Sequence, residues 1–272
     1  MTSRRDQSLT LVILGVFSLI ALLPIVGILV TAVQDPNGLG SFGSFDGIHL
    51  GNFGDAWTQG HFGSYLRSSA IVAVTVVVVA SVLSLLSGYA FGLMRFRGAD
   101  VLFYVFLLGL MVPMEAIIVP LYYDLRDVKL TDTYWALILP QIGSSVAFGT
   151  FWMRAFFRTV PRSLVEAARI DGASSWFTLW RVLLPLARPA VLTMVVLLFM
   201  WTWNEFLLAL VMVSDEGLRT APLGLSFFQG RNTSNLTLLA AGAVIVATPV
   251  VVLYVFLQRH FIRGMLAGAV KG

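Results

Sequence analysis

The sequence predicts an all-α membrane protein, built as one bundle of six spanning helices. The first observation behind this prediction is composition: 58% of the 272 residues are hydrophobic, 12% are charged, and the mean hydropathy is +0.86. A soluble domain carries about 25% charged residues. The second observation is that the apolar residues are gathered in long runs. A helix needs about 20 such residues to cross the hydrocarbon core, and six segments meet that length.

The six predicted spans follow one another along the whole chain and leave no room for a soluble domain. We therefore predict a single membrane domain over residues 1–272, with its core at 66–272 and a cytoplasmic loop at about 158–188. The predicted spans are 10–33, 69–93, 101–122, 134–157, 189–213 and 236–257.

The distribution of positive charge predicts the orientation of the bundle. Cationic loops are held on the cytoplasmic face of a membrane. With the N-terminus in the cytoplasm, most of the 18 lysines and arginines fall on that side. The external side receives only Arg67, Arg126, Lys129, Arg219 and Arg231. The chain is therefore predicted to be a multi-pass inner-membrane protein with both termini in the cytoplasm.

The sequence lacks the residues that several classes of function require. The chain has no cysteine, which removes disulfides, thiolate catalysis and cysteine-ligated metals. It contains no phosphate-binding loop and no His-Glu-x-x-His motif, and its three histidines are scattered at His49, His61 and His260. We predict no catalytic residue, no metal and no cofactor, so any energy source lies on another chain. The net charge of +4 follows from topology, and no nucleic-acid partner is expected.

The cytoplasmic loop contains the signals of two short helices. Ser163, followed three residues later by Glu166, is a predicted capping box, and Ala167 and Ala168 are strong helix formers. Gly172 can take the positive φ that ends a helix, and Ser174 or Ser175 can cap the next one. A helix-turn-helix on the membrane surface follows, with small alanines beside one acidic residue. This low relief suits insertion into a cleft on a partner.

Ionisable residues inside a span tend to face a cavity or a partner. On a continuous fifth helix, Trp201, Asn204 and Glu205 would share one face, which predicts part of a solute path. Glu115 in the third span is a further candidate. The alternative for all four residues is packing and hydrogen bonding between helices, which leaves the path unassigned.

The loop carries a resemblance to a known family. The run EAARIDG at 166–172, with LPL at 184–186, resembles the EAA loop of ABC-importer permeases. The order of neighbouring elements is similar to that of the maltose-type carbohydrate permeases over about the last 200 residues. Phe156 and Phe157 precede the loop, Trp203-Asn204 lies in the fifth predicted span, and LGL at 223–225 follows it.

The resemblance implies a type I importer permease fold and a set of partners. These are a second, homologous permease, two ATP-binding cassette subunits, an external solute-binding protein and membrane lipid. The implied solute is a sugar or a sugar-like molecule. By position in the motif, the surface that couples the permease to the ATPase would consist of Glu166, Ala167, Ala168, Asp171 and Gly172. The alternative for Glu166 and Gly172 is that they only cap and end a helix.

A secondary transporter is the competing interpretation. It would couple the solute to protons or sodium through Glu115 or Glu205. Such transporters commonly have internal symmetry between their halves, which is not detectable in this sequence.

Overall fold

The computed structural model describes residues 4–35, 47–228 and 235–269, and the described residues are helical with short connections. Twelve α-helices are present within these ranges. They are α1 Arg4–Ala32, α2 Gly51–Gln59, α3 Phe62–Leu93, α4 Ala99–Met111, α5 Met114–Asp127, α6 Tyr134–Phe157, α7 Arg162–Ile170, α8 Ser175–Phe177, α9 Leu184–Trp203, α10 Leu207–Met212, α11 Ala221–Gly224 and α12 Leu236–Ala269. A π-helical segment, Thr178–Leu183, joins α8 to α9.

The spans agree in number with the sequence-based prediction. Five helices are long and apolar enough to cross a membrane: α1, α3, α6, α12 and the continuous helix Ser175–Trp203. The pair α4 and α5 makes a sixth span if it is counted as one. Backbone contacts group the chain into two compact units, one from Met1–Gly63 and Gly224–Pro249, the other from Ser64–Leu223 and Val250–Gly272. The prediction of a single permease domain stays a prediction.

The third predicted span is not one straight helix. Its two halves, α4 and α5, are bent by 96° where they meet. Val112 leaves the helix with an extended backbone (φ −82°, ψ 113°), and Pro113 follows it with ψ 138°. A proline disfavours the helical conformation of the residue before it and cannot donate a backbone hydrogen bond. The uninterrupted span at 101–122 was therefore a wrong prediction.

The fifth predicted span is shifted towards the N-terminus. The helix begins at Ser175 and ends at Trp203, instead of running from 189 to 213. Beyond it the Asn204 side chain donates to the carbonyl of Met200 at 2.7 Å, and Glu205 Oε1 accepts the N–H of Leu208 at 2.7 Å. These local bonds offer the backbone an alternative to continuing the helix. A new short helix, α10, starts after the break.

In the first unit, α1 is surrounded by few atoms of the chain. None of its most apolar window is buried. Its C-terminal end is held by Asn52 of α2, whose amide donates to the carbonyls of Ala32 and Gln34 at 3.0 and 2.8 Å. Asn52 is itself buried, so this pair of bonds satisfies its donors and holds the backbone at Ala32 and Gln34.

In the second unit, α3 and α6 approach closely through small residues. A Cβ placed on Gly88 would overlap the Cβ of Met153, and one placed on Gly149 would overlap Ser84. The hydroxyls of Ser87 and Thr150 form a hydrogen bond of 2.6 Å across the same contact. Small residues let helix backbones approach in a membrane, where dispersion and interhelical bonds replace the hydrophobic driving force.

Two apolar clusters fill the second unit. We name the first the α7 cluster; it combines residues of α3, α6, α7, the π segment and α9, and includes Tyr89, Met153, Val165, Leu183 and Met194. We name the second the α10 cluster; it combines α3, α5, α6 and α10, and includes Val76, Ile118, Leu137, Leu208 and Met212. The surface helix α7 is therefore attached to the spans through its own buried residue, Val165.

Candidate functional site

The helix α7 begins earlier than the capping-box prediction requires. Its first residue is Arg162, so Ser163 lies inside the first turn and forms no capping hydrogen bond. The preceding Pro161 has φ −59°, and its carbonyl accepts the N–H of Leu164 at 3.1 Å. Because proline is already set to a helical φ, the first turn forms before the serine. The Ser163 to Glu166 capping box was a wrong prediction.

The end of α7 agrees with the prediction. Gly172 has φ +79°. Its N–H donates to the carbonyl of Arg169 at 3.0 Å, and the N–H of Ala173 donates to that of Ala168 at 2.9 Å. This pair of bonds is the Schellman motif, in which a left-handed glycine closes the helix. Ser174 then caps the next helix by accepting the N–H of Phe177 at 3.2 Å.

The five predicted coupling residues line two different concavities beside α7. Ala167, Ala168, Asp171 and Gly172 line one of about 630 Å³, together with Phe177 of α8. Glu166 lines another of about 510 Å³. Ala168 lines this concavity although it is buried, at 8% exposure, and its place on the coupling surface stays a prediction.

Glu166 is surrounded by positive charge. The concavity that it lines also contains Arg95, Arg162 and Arg169. No hydrogen bond or ion pair joins these four side chains to any described residue. The arginines and the carboxylate are thus available to a partner.

Three apolar side chains near α7 are exposed and were missed by the sequence analysis. Ile170 is 86% exposed, Trp176 63% and Phe177 53%. These large apolar residues stand in two short predicted helices of a charged loop, and this contrast could have identified them as exposed. Exposed aromatic and aliphatic residues beside polar ones are typical of a surface that contacts another protein.

A second candidate site is a cavity of about 520 Å³ inside the second unit. We name it the bend cavity, because α4, α5 and the residues at their bend form one wall. The opposite wall comes from α6 and the end of α9. Its polar lining residues are Gln141, Ser144, Ser145, Thr202 and Glu205.

Two of the four predicted path residues lie at the bend cavity. Trp201 and Glu205 line it, whereas Asn204 and Glu115 are exposed and do not. The shared helical face of Trp201, Asn204 and Glu205 was a wrong prediction, because the helix ends at Trp203. Asn204 turns back to bond the Met200 carbonyl, which directs its amide away from the cavity.

Phe148 holds Trp201 at the cavity wall. Their rings meet edge to face, with centroids 4.6 Å apart and planes at 71°. Phe148 lies on α6, four residues after Ser144 and seven after Gln141, so helical spacing alone could have identified it. Within the described residues no group of acidic, cysteine or histidine side chains has the arrangement of a metal site.

Five or six apolar spans, a surface helix attached to them and a cavity between them define a membrane permease. The family model described as binding-protein-dependent transport system inner membrane component matches residues 80–267. A probable ABC transporter permease protein, YurM of Bacillus subtilis (strain 168), is 36% identical over 224 residues, which cover 82% of this chain and 74% of the relative. The arabinooligosaccharides transport system permease protein AraQ of Halalkalibacterium halodurans is 33% identical over 226 residues, covering 83% and 80%.

A solved structure has the same fold. It is a chain from a bacterial ABC transporter involved in the import of the acidic polysaccharide alginate, with a TM-score of 0.82, 25% identity, and coverage of 96% of this chain and 99% of that one. The protein therefore belongs to the family of binding-protein-dependent transport system inner-membrane components. It is a multi-pass membrane permease subunit of an ABC importer, and the ATPase is a separate subunit. This membership overturns the competing interpretation as a secondary transporter.

Proposed function

We propose that this subunit forms one half of the path for a sugar or sugar-like solute. The bend cavity carries the proposal, because it combines an exposed indole with polar side chains from another helix. A few polar groups set in a largely apolar wall are typical of small-molecule sites. The names of the similar proteins support the solute class, since one transports arabinooligosaccharides and another imports alginate.

Its assembly would comprise a second homologous permease, two ATP-binding cassette subunits and an external solute-binding protein. The basic loops would keep both termini in the cytoplasm. Three arginines near α7 have no ion-pair or hydrogen-bond partner among the described residues: Arg95, Arg162 and Arg169. They would then contact lipid phosphate or an acidic partner.

In this proposal, α7 transmits the motion of the ATPase to the spans. Glu166 would meet a cation of the ATPase, while Ala167, Asp171 and Gly172 would follow the wall of its groove. Val165 and Ala168 are buried, and Val165 belongs to the same cluster as Met153 of α6 and Met194 of α9. Because packed interiors resist compression, a displacement of α7 moves these helices with it.

The test exchanges charge at α7 in the reconstituted complex. Glu166→Lys would place four cations in one concavity and repel the proposed cation of the ATPase. We expect uptake into vesicles and solute-stimulated ATP hydrolysis to fall at least tenfold, with insertion and subunit yield unchanged. Arg169→Ala is the matched control from the same concavity and should retain most activity. Normal stimulation in Glu166→Lys, with the ATPase still bound, would refute the coupling role.

A further inference from the structure

The bend cavity is acidic within the described residues that line it. None of its lining residues is arginine, lysine or histidine, and Glu205 is the ionisable one. Glu205 Oε1 accepts the N–H of Leu208 at 2.7 Å, and no described group engages its second oxygen. The carboxylate is therefore fixed in place by the start of α10 while one oxygen remains available to the cavity.

The other polar groups of the cavity include acceptors. One amide N–H of Gln141 donates to the carbonyl of Leu137 at 2.9 Å, which leaves its side-chain oxygen and its second N–H available. The Ser144 hydroxyl donates to the carbonyl of Gln141 at 3.2 Å, so its oxygen is also an acceptor. A ligand that matches this wall supplies hydrogen-bond donors, as the hydroxyls of a saccharide do.

The indole of Trp201 forms an aromatic part of the wall. Trp201 is 53% exposed, and its edge-to-face contact with Phe148 holds the indole ring in place. The face of an aromatic ring is negative, so it attracts C–H groups and cations and repels anions. In a cavity bounded mainly by apolar surface, the charge of Glu205 is screened less than in bulk water.

We propose that the bend cavity selects its solute by charge, with Glu205 as the residue that excludes anions. The inference rests on the proposed transport path and assigns its ligand to the neutral or cationic saccharides, as opposed to the uronates. The indole lies against the C–H face of a sugar ring, the acceptors of α6 and Glu205 bind its hydroxyls, and a carboxylate on the sugar meets the carboxylate of Glu205. Specificity here depends on a repulsive element as well as on attractive ones.

The natural absence of cysteine makes the local charge measurable. In the Ser144→Cys variant of the full complex, the new thiol is the one reactive site on this subunit. We would add methanethiosulfonate reagents that carry a trimethylammonium group, a neutral methyl group or a sulfonate. Labelling of the subunit is followed by the increase in its intact mass, and each rate is divided by the rate of the same reagent with β-mercaptoethanol. We expect the cationic reagent to react about tenfold faster than the anionic one, with the neutral reagent between them.

The matched variant is Ser144→Cys with Glu205→Gln, which keeps an oxygen able to accept the Leu208 N–H. We expect the normalised rates of the cationic and anionic reagents to become equal within about twofold. If the single variant reacts equally with both, or faster with the anion, the charge selection is refuted while the path remains. If neither reagent labels the folded complex but both label the unfolded chain, the cavity is closed to solutes, and the transport path fails together with this inference.

Discussion

The backbone of Gly172 is the residue-scale feature on which α7 most directly depends. Its φ of +79° closes the helix, and no atom lies within 4 Å of the place where a Cβ would stand. A side chain there would meet open space, so its cost arises only from the left-handed conformation. That conformation costs a bulky residue about 1–3 kcal/mol, and asparagine much less.

Two substitutions at Gly172 should therefore behave differently. We expect Gly172→Val to lower solute-stimulated ATP hydrolysis and uptake at least tenfold, because the Schellman turn opens and α7 loses its fixed angle. Gly172→Asn should stay within about twofold of the natural protein, since asparagine tolerates positive φ. Both are measured in proteoliposomes with matched subunit content. Equal activity of the two variants would contradict a role for this turn geometry.

Close packing between α3 and α6 gives a second prediction at single residues. A Cβ at Gly88 would overlap that of Met153 and lie 3.0 Å from the backbone nitrogen of Arg154, which cannot move aside. Overpacking of this kind costs about 1–3 kcal/mol. We expect Gly88→Val to lower the Tm of the detergent-solubilised complex by several degrees. Gly15→Ala, in α1 with no atom within 4 Å of its Cβ, is the control and should leave the Tm unchanged.

At the scale of elements, the π-helical segment is the connection between α7 and the fifth span. The backbone hydrogen bonds of Thr178–Leu183 span five residues, where those of the following α-helix span four, and the segment places both Leu179 and Leu183 in the α7 cluster. Such wide turns are rare and often occur at functional sites. The extra residue sets the rotation of α8 about the axis of α9.

Deleting Arg181 should convert this segment to an ordinary α-helix. Arg181 is exposed, so the deletion removes no buried contact of its own. It rotates the preceding residues by about 100°, one helical step, and turns Leu179 out of its cluster. We expect uptake to be lost while the complex still inserts. Arg181→Ala keeps the length and should transport nearly normally; if the two variants transport alike, the π segment has no coupling role.

Elements that depend on composition and hydropathy were predicted well from the sequence, whereas breaks within them were not. The number of spans and the positive φ of Gly172 are confirmed. The bend at Pro113 was missed because Pro120, Pro140 and Pro249 lie inside continuous helices, so proline alone does not identify a break. The end of the fifth span at Trp203 depends on where the side chains of Asn204 and Glu205 find partners, which hydropathy does not contain.

At the scale of the whole molecule, the two apolar clusters of the second unit connect its spans to two different short helices. The α7 cluster binds α3, α6 and α9 to the surface helix, and the α10 cluster binds α3, α5 and α6 to the short helix beyond the break. The helices α3 and α6 belong to both. In the proposed coupling, a displacement of α7 would therefore be passed to α10 through α3 and α6, which are packed in both clusters.

The orientation of the chain in the membrane is a prediction of its own. We expect reporter fusions after Gly60 and after Gly230 to report an external location, and a fusion at Lys271 to report a cytoplasmic one, because positive charge is retained inside. The last two sites lie outside the described residues. Paired alkaline phosphatase and fluorescent-protein fusions give the measurement. An inverted result at any of these sites would overturn the predicted assignment of the loops to the two sides of the membrane.

The unburied α1 has a consequence for how the protein is made. The most apolar 18-residue window of Asp6–Ala32 has a mean hydropathy of 2.8, and none of it is buried among the described residues. A helix of this length exceeds the hydrocarbon thickness of about 30 Å and settles at a tilt. It precedes the other spans along the chain, and none of them needs to be present to bury it. Its entry into the bilayer can therefore precede the synthesis of the spans that follow it, with lipid in place of protein around it.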